Sequence, residues 1–164
     1  MTTTNRTTPV VGDIGPDFHL PADDGSTLHL AALRGRWVIV YFYPRDNTPG
    51  CTTEACDFRD RHGDFAASDA VVLGISGDSL ASHGRFRDKF QLPFQLLSDG
   101  DRAAMVAWGA WGEKTLYGKT SMGIIRSTFL VAPDGRIAAG WPKVKVKGHV
   151  DEVLATLADL RART

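Results

Sequence analysis

Tyr41-Phe42-Tyr43-Pro44-Arg45-Asp46-Asn47-Thr48-Pro49-Gly50-Cys51-Thr52-Thr53-Glu54-Ala55-Cys56 joins the end of an apolar run to a short polar turn and then to a cysteine. The run begins at Trp37 and stays apolar through Tyr43, rich in β-branched and aromatic side chains. That pattern predicts a strand buried on both faces, at the centre of an α/β sheet. Pro49-Gly50 fits a tight passage from strand to helix. From Cys51 to about Ala67, the spacing of Ala55, Phe58, His62, Phe65 and Ala66 predicts one helix with an apolar face. Cys51 thus opens a helix at the mouth of a sheet. Unpaired backbone N–H groups and the positive end of the helix dipole favour an anion there. Thr48 can offer its hydroxyl to the sulfur or to an oxygen bound beside it. The thiolate is the reactive form of cysteine, and a free thiol has a pKa of about 8.5. This setting therefore marks Cys51 as a candidate activated nucleophile.

The second cysteine, Cys56, is its candidate disulfide partner. Residues five apart on an ideal helix point roughly 140° apart, with Cα atoms roughly 8.7 Å apart. A disulfide needs them within about 7 Å. A bond between Cys51 and Cys56 therefore requires the start of the helix to unwind. The plainer alternatives are a buried apolar cysteine at either position or a metal site completed by His62. The second has no finger-like ligand spacing.

The rest of the chain supplies the frame. Its 164 residues suit one domain with a real core. Lys plus Arg, 19, equals Asp plus Glu, 19, which argues against nucleic acid or an anionic membrane as the main partner. No run approaches the ~18 apolar residues of a membrane span. The first residues carry no apolar signal core, so the expected compartment is the reducing cytoplasm, where closely spaced cysteines are catalytic or metal-binding more often than structural. Residues 1–11 read as a disordered arm and 12–164 as a single domain.

Phe18-His19-Leu20 and Thr27-Leu28-His29-Leu30 flank an Asp-Gly turn and predict a β-hairpin. Val71–Ser76 is a second buried strand, Ser79–Phe90 a helix with a serine cap, Pro93–Ser98 a short strand, and Arg102–Trp108 a helix. Residues 109–125 read as a long loop with at most a short extended piece. Ser127–Val131 and Ile137–Trp141 flank Ala132-Pro133-Asp134-Gly135-Arg136, a second hairpin. Lys143, Lys145 and Lys147 alternate with Val144 and Val146, as on an extended tail or an edge strand charged against unwanted pairing. Val150, Val153, Leu154, Leu157 and Leu160 mark a terminal helix. A β-α-β unit followed by a hairpin and a last helix is the plan of a thioredoxin-like fold. It carries an N-terminal β-hairpin extension, and its mixed central sheet is flanked by helices.

The motif Pro44-x-x-x-Thr48-x-x-Cys51 resembles the active-site pattern of peroxiredoxins. Tyr43-Pro44-Arg45-Asp46-Asn47-Thr48-Pro49-Gly50-Cys51-Thr52-Thr53-Glu54-Ala55-Cys56 resembles their Q-type, or bacterioferritin comigratory protein, branch. The likeness extends over most of residues 12–160, including Gly15-Pro16-Asp17-Phe18 and Gly123–Val131. It implies a thioredoxin-dependent peroxidase that acts on hydrogen peroxide and organic hydroperoxides. Cys51 matches the peroxidatic cysteine that becomes a sulfenic acid, and Cys56 the resolving cysteine of an intramolecular disulfide. Thr48 matches the threonine that hydrogen-bonds the peroxide, and Arg126 the arginine that stabilises thiolate and substrate. Pro44 matches the shielding proline, and Glu54 an acidic position that holds the arginine. Thioredoxin or a similar dithiol is the implied reductant, with no metal or other cofactor. An intramolecular partner cysteine needs no second subunit, so a monomer is expected.

Phe42, Phe58, Trp108 and Trp111 read as core residues in preference to a lining for an alkyl hydroperoxide. A thiol-disulfide oxidoreductase shares the fold but carries Cys-x-x-Cys. A redox-sensing interaction module remains the alternative from another class.

Overall fold

The computed structural model describes residues 8–163. Of the arm expected over 1–11, residues 1–7 lie outside the described residues. Beyond them the Val10 N–H donates to Asp13 Oδ2, and the Gly12 N–H donates to the carbonyl of Ile137.

Among the described residues, nine strands and five α-helices follow in chain order: β1 (His19–Pro21), β2 (Thr27–His29), β3 (Trp37–Phe42), α1 (Pro49–Asp60), α2 (His62–Ala67), β4 (Ala70–Ser76), α3 (Leu80–Phe90), β5 (Gln95–Ser98), α4 (Ala103–Ala107), β6 (Trp111–Leu116), β7 (Lys119–Ile124), β8 (Ser127–Val131), β9 (Ile137–Trp141) and α5 (His149–Ala162). A 3-10 turn, Leu30–Leu33, joins β2 to β3. The central sheet has the order β5-β4-β3-β8-β9, with β3, β4 and β5 parallel and β8 and β9 antiparallel to their neighbours. It is the mixed sheet of a thioredoxin-like fold.

β3 lies at its centre and is buried along its whole length. Its side chains alternate between two cores. Val38, Val40 and Phe42 join Phe18, Leu20 and Trp108 under the N-terminal hairpin and α4. Ile39, Tyr41 and Tyr43 join Cys51, Phe58, Phe86 and Leu157 under α1, α3 and α5. Tyr41 lies so close across β4 that a Cβ at Gly74 would come within 2.9 Å of its ring. Only a glycine fits there.

The helix ends follow local chemistry. Ser79 Oγ accepts from the Ser82 N–H at the start of α3, and Gln91, in the left-handed region, ends it. α5 carries Asp151 and Glu152 in its first turn and Arg161 in its last, each favourable with the helix dipole.

Three expectations need correction. The single helix from Cys51 to Ala67 is broken at Arg61, whose backbone (φ −102°, ψ 5°) is not helical. The turn this inserts leaves Ala66 exposed, off the apolar face predicted for it. Residues 109–125 are not a loop: β6 and β7 pair as an antiparallel hairpin around Tyr117-Gly118. The Lys143–Lys147 segment is not a strand. Its Val144 N–H instead donates to the carbonyl of Arg126.

Candidate active site

The architecture explains how residues 75 positions apart in sequence come together. β8 runs antiparallel to β3, and the last pair in register is Phe42 with Ser127. One residue further, Arg126 reaches the end of β3 from which the chain leaves for Cys51. Thr48 is the N-cap of α1 and Pro49 its first residue, where a missing N–H costs nothing. Cys51 therefore stands in the first turn, and only 1% of it is exposed.

Arg126 Nη2 lies 3.4 Å from Cys51 Sγ, and Arg126 Nη1 donates to Glu54 Oε1 at 2.7 Å. Glu54 is one helical turn beyond Cys51 on the same side of α1, so one guanidinium spans sulfur and carboxylate. Gly50 makes this approach possible: a Cβ there would meet Arg126 Nη2 at 3.1 Å. The sequence suggested Gly50 only as a turn residue. The structure gives it a second role, as clearance for the arginine.

The electrostatics are those of a buried site. Glu54 is fully buried, and its second oxygen, Oε2, has no hydrogen-bond partner among the described residues. Burial pushes its pKa up to about 7, against the opposing pull of Arg126. Burial works against the charge of Arg126, but Glu54 and Cys51 outweigh it and hold the guanidinium above its ordinary value. Tyr41, stacked on Phe58 with ring centroids 4.7 Å apart, also buries a hydroxyl without a partner. Burial, and after it the charges of Glu54 and Cys51, raise the Tyr41 pKa well above normal, so it stays a neutral phenol.

Thr48 Oγ1 donates to the carbonyl of Arg45 at 2.9 Å. Its proton is thereby committed, and its lone pairs remain to accept from an O–H. That modifies the expectation of a hydroxyl offered to the sulfur. Pro44 is half-buried and borders a groove of about 340 Å3 that also includes Thr115, Ile125, Arg126, Lys143 and Val144. The two segments misjudged from sequence, the β6–β7 hairpin and the Lys143 region, thus form one wall beside Arg126.

Cys56 is a free, partly buried thiol in the same unbroken helix as Cys51, itself free. Burial raises its pKa. Phe42, Phe58 and Trp108 are fully buried in the two cores, and Trp111 packs on one of them. None of these aromatics lines the groove.

The AhpC/TSA family pattern matches residues 11–139. The chain is a peroxiredoxin of that family. Its relatives place it in the bacterioferritin comigratory protein, or Q-type, branch. It is 50% identical over 150 residues to peroxiredoxin Bcp of Bacillus subtilis, covering 92% of this chain and 96% of that one. It is 52% identical over 158 residues to a putative peroxiredoxin of Mycobacterium tuberculosis, covering 96% and 99%. A structure of the Xanthomonas campestris bacterioferritin comigratory protein, concerned with its alkyl peroxide reduction activity, superposes with a TM-score of 0.84 at 42% identity, covering 93% of this peroxiredoxin and 96% of that chain.

One group of site residues was not suggested by the sequence. Behind the turn that carries Thr48, Asp46 accepts from the Tyr43 hydroxyl at 2.6 Å and from Ser82 Oγ at 2.8 Å, and pairs with His83 Nδ1 at 2.7 Å. The Asp46 N–H donates to Asp78 Oδ2 at 2.8 Å. This network fixes the back of the turn. No periodicity or motif links Asp46 to a histidine on α3.

Proposed function

We propose that Cys51 is the peroxidatic nucleophile and Cys56 its resolving thiol. The Cys51 thiolate attacks one peroxide oxygen, the O–O bond breaks, and the electron pair leaves on the other oxygen as alkoxide or hydroxide, which takes up a proton. Cys51 becomes a sulfenic acid. Arg126 faces the sulfur and the charge that develops on the leaving oxygen. A donor already aimed at that charge needs no reorganisation, which is where electrostatic catalysis is largest. Thr48 accepts from the peroxide O–H and so orients it, Glu54 holds the guanidinium, and Pro44 shields the sulfur. The observation that carries this reading is the guanidinium bridging Cys51 Sγ at 3.4 Å and Glu54 Oε1 at 2.7 Å.

The first turns of α1 then unwind, Cys56 attacks the sulfenic sulfur, water leaves, and a Cys51–Cys56 disulfide forms. A thioredoxin-type dithiol reduces it by exchange. Organic hydroperoxides as well as hydrogen peroxide are the proposed substrates, supported by the alkyl peroxide reduction ascribed to the Xanthomonas campestris relative. The enzyme works as a monomer in the reducing cytoplasm, supported by the internal partner thiol. No helix among the described residues is long and apolar enough to cross a membrane.

The test is stopped-flow reaction of the reduced protein with hydrogen peroxide and with an alkyl hydroperoxide, followed by mass analysis. The wild type is expected to lose two hydrogens as the disulfide forms. Cys56→Ser should complete the first attack, accumulate oxidised Cys51 and recycle poorly with thioredoxin. Peroxide consumption by Cys51→Ser at the wild-type rate would overturn the assignment of the nucleophile. Normal turnover by Cys56→Ser would overturn that of the resolver.

A further inference from the structure

We propose that Asp17, His19 and His29 form a binding site for a divalent transition-metal ion of the zinc class, on the side of the sheet away from Cys51. The backbone creates the grouping. His19 and His29 are directly opposite each other in the β1–β2 ladder. Residues opposite across an antiparallel pair project from the same face, and so do residues two apart on an extended chain. Asp17 precedes His19 by two. The outcome is two imidazoles with ring centroids 3.6 Å apart and a carboxylate whose Oδ2 lies 2.5 Å from His29 Nε2. One ligand atom from each of the three residues lies within 4.8 Å of the other two.

Two imidazole nitrogens and a carboxylate oxygen are the donor set of open zinc sites, with a fourth position left for water. Zn–N and Zn–O distances of about 2.0–2.2 Å put neighbouring ligand atoms of a tetrahedron roughly 3.3 Å apart. The Asp17–His29 contact must therefore open by roughly 0.8 Å to admit the ion. Exposed side chains can do this by rotation. The carboxylate is already held as a ligand should be: Asp17 Oδ1 accepts from the backbone N–H groups of Phe18 and Ala31, and Oδ2 is left to face the histidines.

The other grouping of similar composition, Asp46, Asp78 and His83, shows the contrast. There the Asp46 oxygens are taken up by Tyr43, Ser82 and His83, His83 Nε2 faces the carbonyl of Leu97 at 2.9 Å, and Asp78 Oδ2 accepts from Asp46 and Ser76. A metal would have to break that network. At the hairpin the Asp17–His29 contact opens and the exposed His19 and His29 rings splay apart, with no buried network broken. Phe18, Leu20 and Leu30 anchor the hairpin in the core opposite the one that holds Cys51, so the site is separate from the thiols.

The experiment is calorimetric titration of the full chain with Zn2+. It is done in a Cys51→Ser, Cys56→Ser background, so that thiolates do not compete for the ion. One ion per chain is expected to bind with a micromolar dissociation constant. Adding His19→Ala is expected to weaken binding tenfold or more. No hydrogen bond among the described residues depends on the His19 side chain, so this variant should fold as the parent does, with an unchanged circular dichroism spectrum. Absence of saturable one-site binding in the parent, or less than tenfold weakening by His19→Ala, would overturn the proposal and leave Asp17–His29 as an ion pair that closes the hairpin.

Discussion

Two buried acid–base pairs flank the turn that delivers Cys51, and they are built to opposite specifications. Asp46 and His83, behind the turn, are saturated: the carboxylate has partners on both oxygens and the imidazole on both nitrogens. Burial works to raise Asp46, but His83, Tyr43 and Ser82 prevail and hold its pKa below the ordinary value. Burial likewise works to lower His83, and the hydrogen bond and charge of Asp46 raise it instead. Glu54 and Arg126, in front of the turn, are left incomplete. One carboxylate oxygen is orphaned, the pKa is pushed up to about 7, and the guanidinium divides its donors between carboxylate and sulfur. A saturated pair has one arrangement and serves as scaffold. The incomplete pair suits the role in peroxide reduction proposed for Arg126.

The contrast is broken most severely at the saturated pair. Asp46→Ala strips the Nδ1 partner from a fully buried histidine, removes the acceptor of Ser82 Oγ, and leaves the Tyr43 hydroxyl only its 3.4 Å contact to His83 Nδ1. Removing one member of a buried pair costs about 3–5 kcal/mol. Urea denaturation at pH 7 should show a loss of that size; a loss under about 1 kcal/mol would mean that water takes over the role of the carboxylate. At the unsaturated pair the loss should appear in rate. Arg126→Met removes the donor to the sulfur and to the developing charge, and one such donor is worth roughly 10²–10³ in rate. Stopped-flow peroxide reduction by this variant is expected to slow by that factor. A rate within threefold of wild type would exclude Arg126 from the chemistry.

The two pairs were also unequally legible in the sequence. Glu54 and Arg126 sit at fixed positions in motifs around Cys51 and β8, so the resemblance pointed to both. Asp46 lies in the turn and His83 in a helix 37 residues later, joined only by tertiary folding. The same limit applies to the fold. β3 and the β8–β9 hairpin announce themselves, because unbroken apolar runs and a Pro-Asp-Gly turn have few other uses. The β6–β7 hairpin does not. Its strands are largely exposed, and its turn places Tyr117 (φ 53°) and Gly118 (φ 77°) in the left-handed region, where Asn-Gly is the usual signal. A tyrosine there gives no warning. The break at Arg61 is nearly as quiet: no proline marks it, and Gly63, two residues later, falls inside α2.

Acidity sharpens the comparison. The Glu54 carboxyl is raised in the folded protein, from 4.5 to about 7. Its stabilising contribution is therefore complete below the unfolded pKa and is lost as pH rises through about 7. At about 1.36 kcal/mol per unit of pKa, the loss across this window is on the order of 3 kcal/mol. His149, lowered by burial from 6.5 to about 4, runs the other way: its contribution grows as pH rises through that range. The two partly cancel in the wild type, so the quantity to read is the stability difference between Glu54→Gln and wild type. Denaturation at pH 5 and pH 8 should show the variant gaining on the wild type by up to about 3 kcal/mol at the higher pH. A constant difference would mean that Glu54 stays ionised throughout.

The smallest effect tests whether Arg126 needs the room that the structure leaves it. Alanine at Gly50 would bring a Cβ to 3.1 Å from Nη2, close enough to push the guanidinium by a few tenths of an ångström but against the far end of a flexible side chain. Alanine also favours a helix over glycine by roughly 0.5–1 kcal/mol. Gly50→Ala should therefore leave stability equal or improved while slowing peroxide reduction a few-fold, on the order of 0.5–1 kcal/mol in barrier. Gly74→Ala provides the control. There the added Cβ meets the packed ring of Tyr41 at 2.9 Å, and overpacking a core costs about 1–3 kcal/mol. If Gly50→Ala lost stability and kept its rate, Gly50 would be serving the backbone. A loss of rate without loss of stability would assign it to the arginine, and would show that the unsaturated pair works only while one of its members can move.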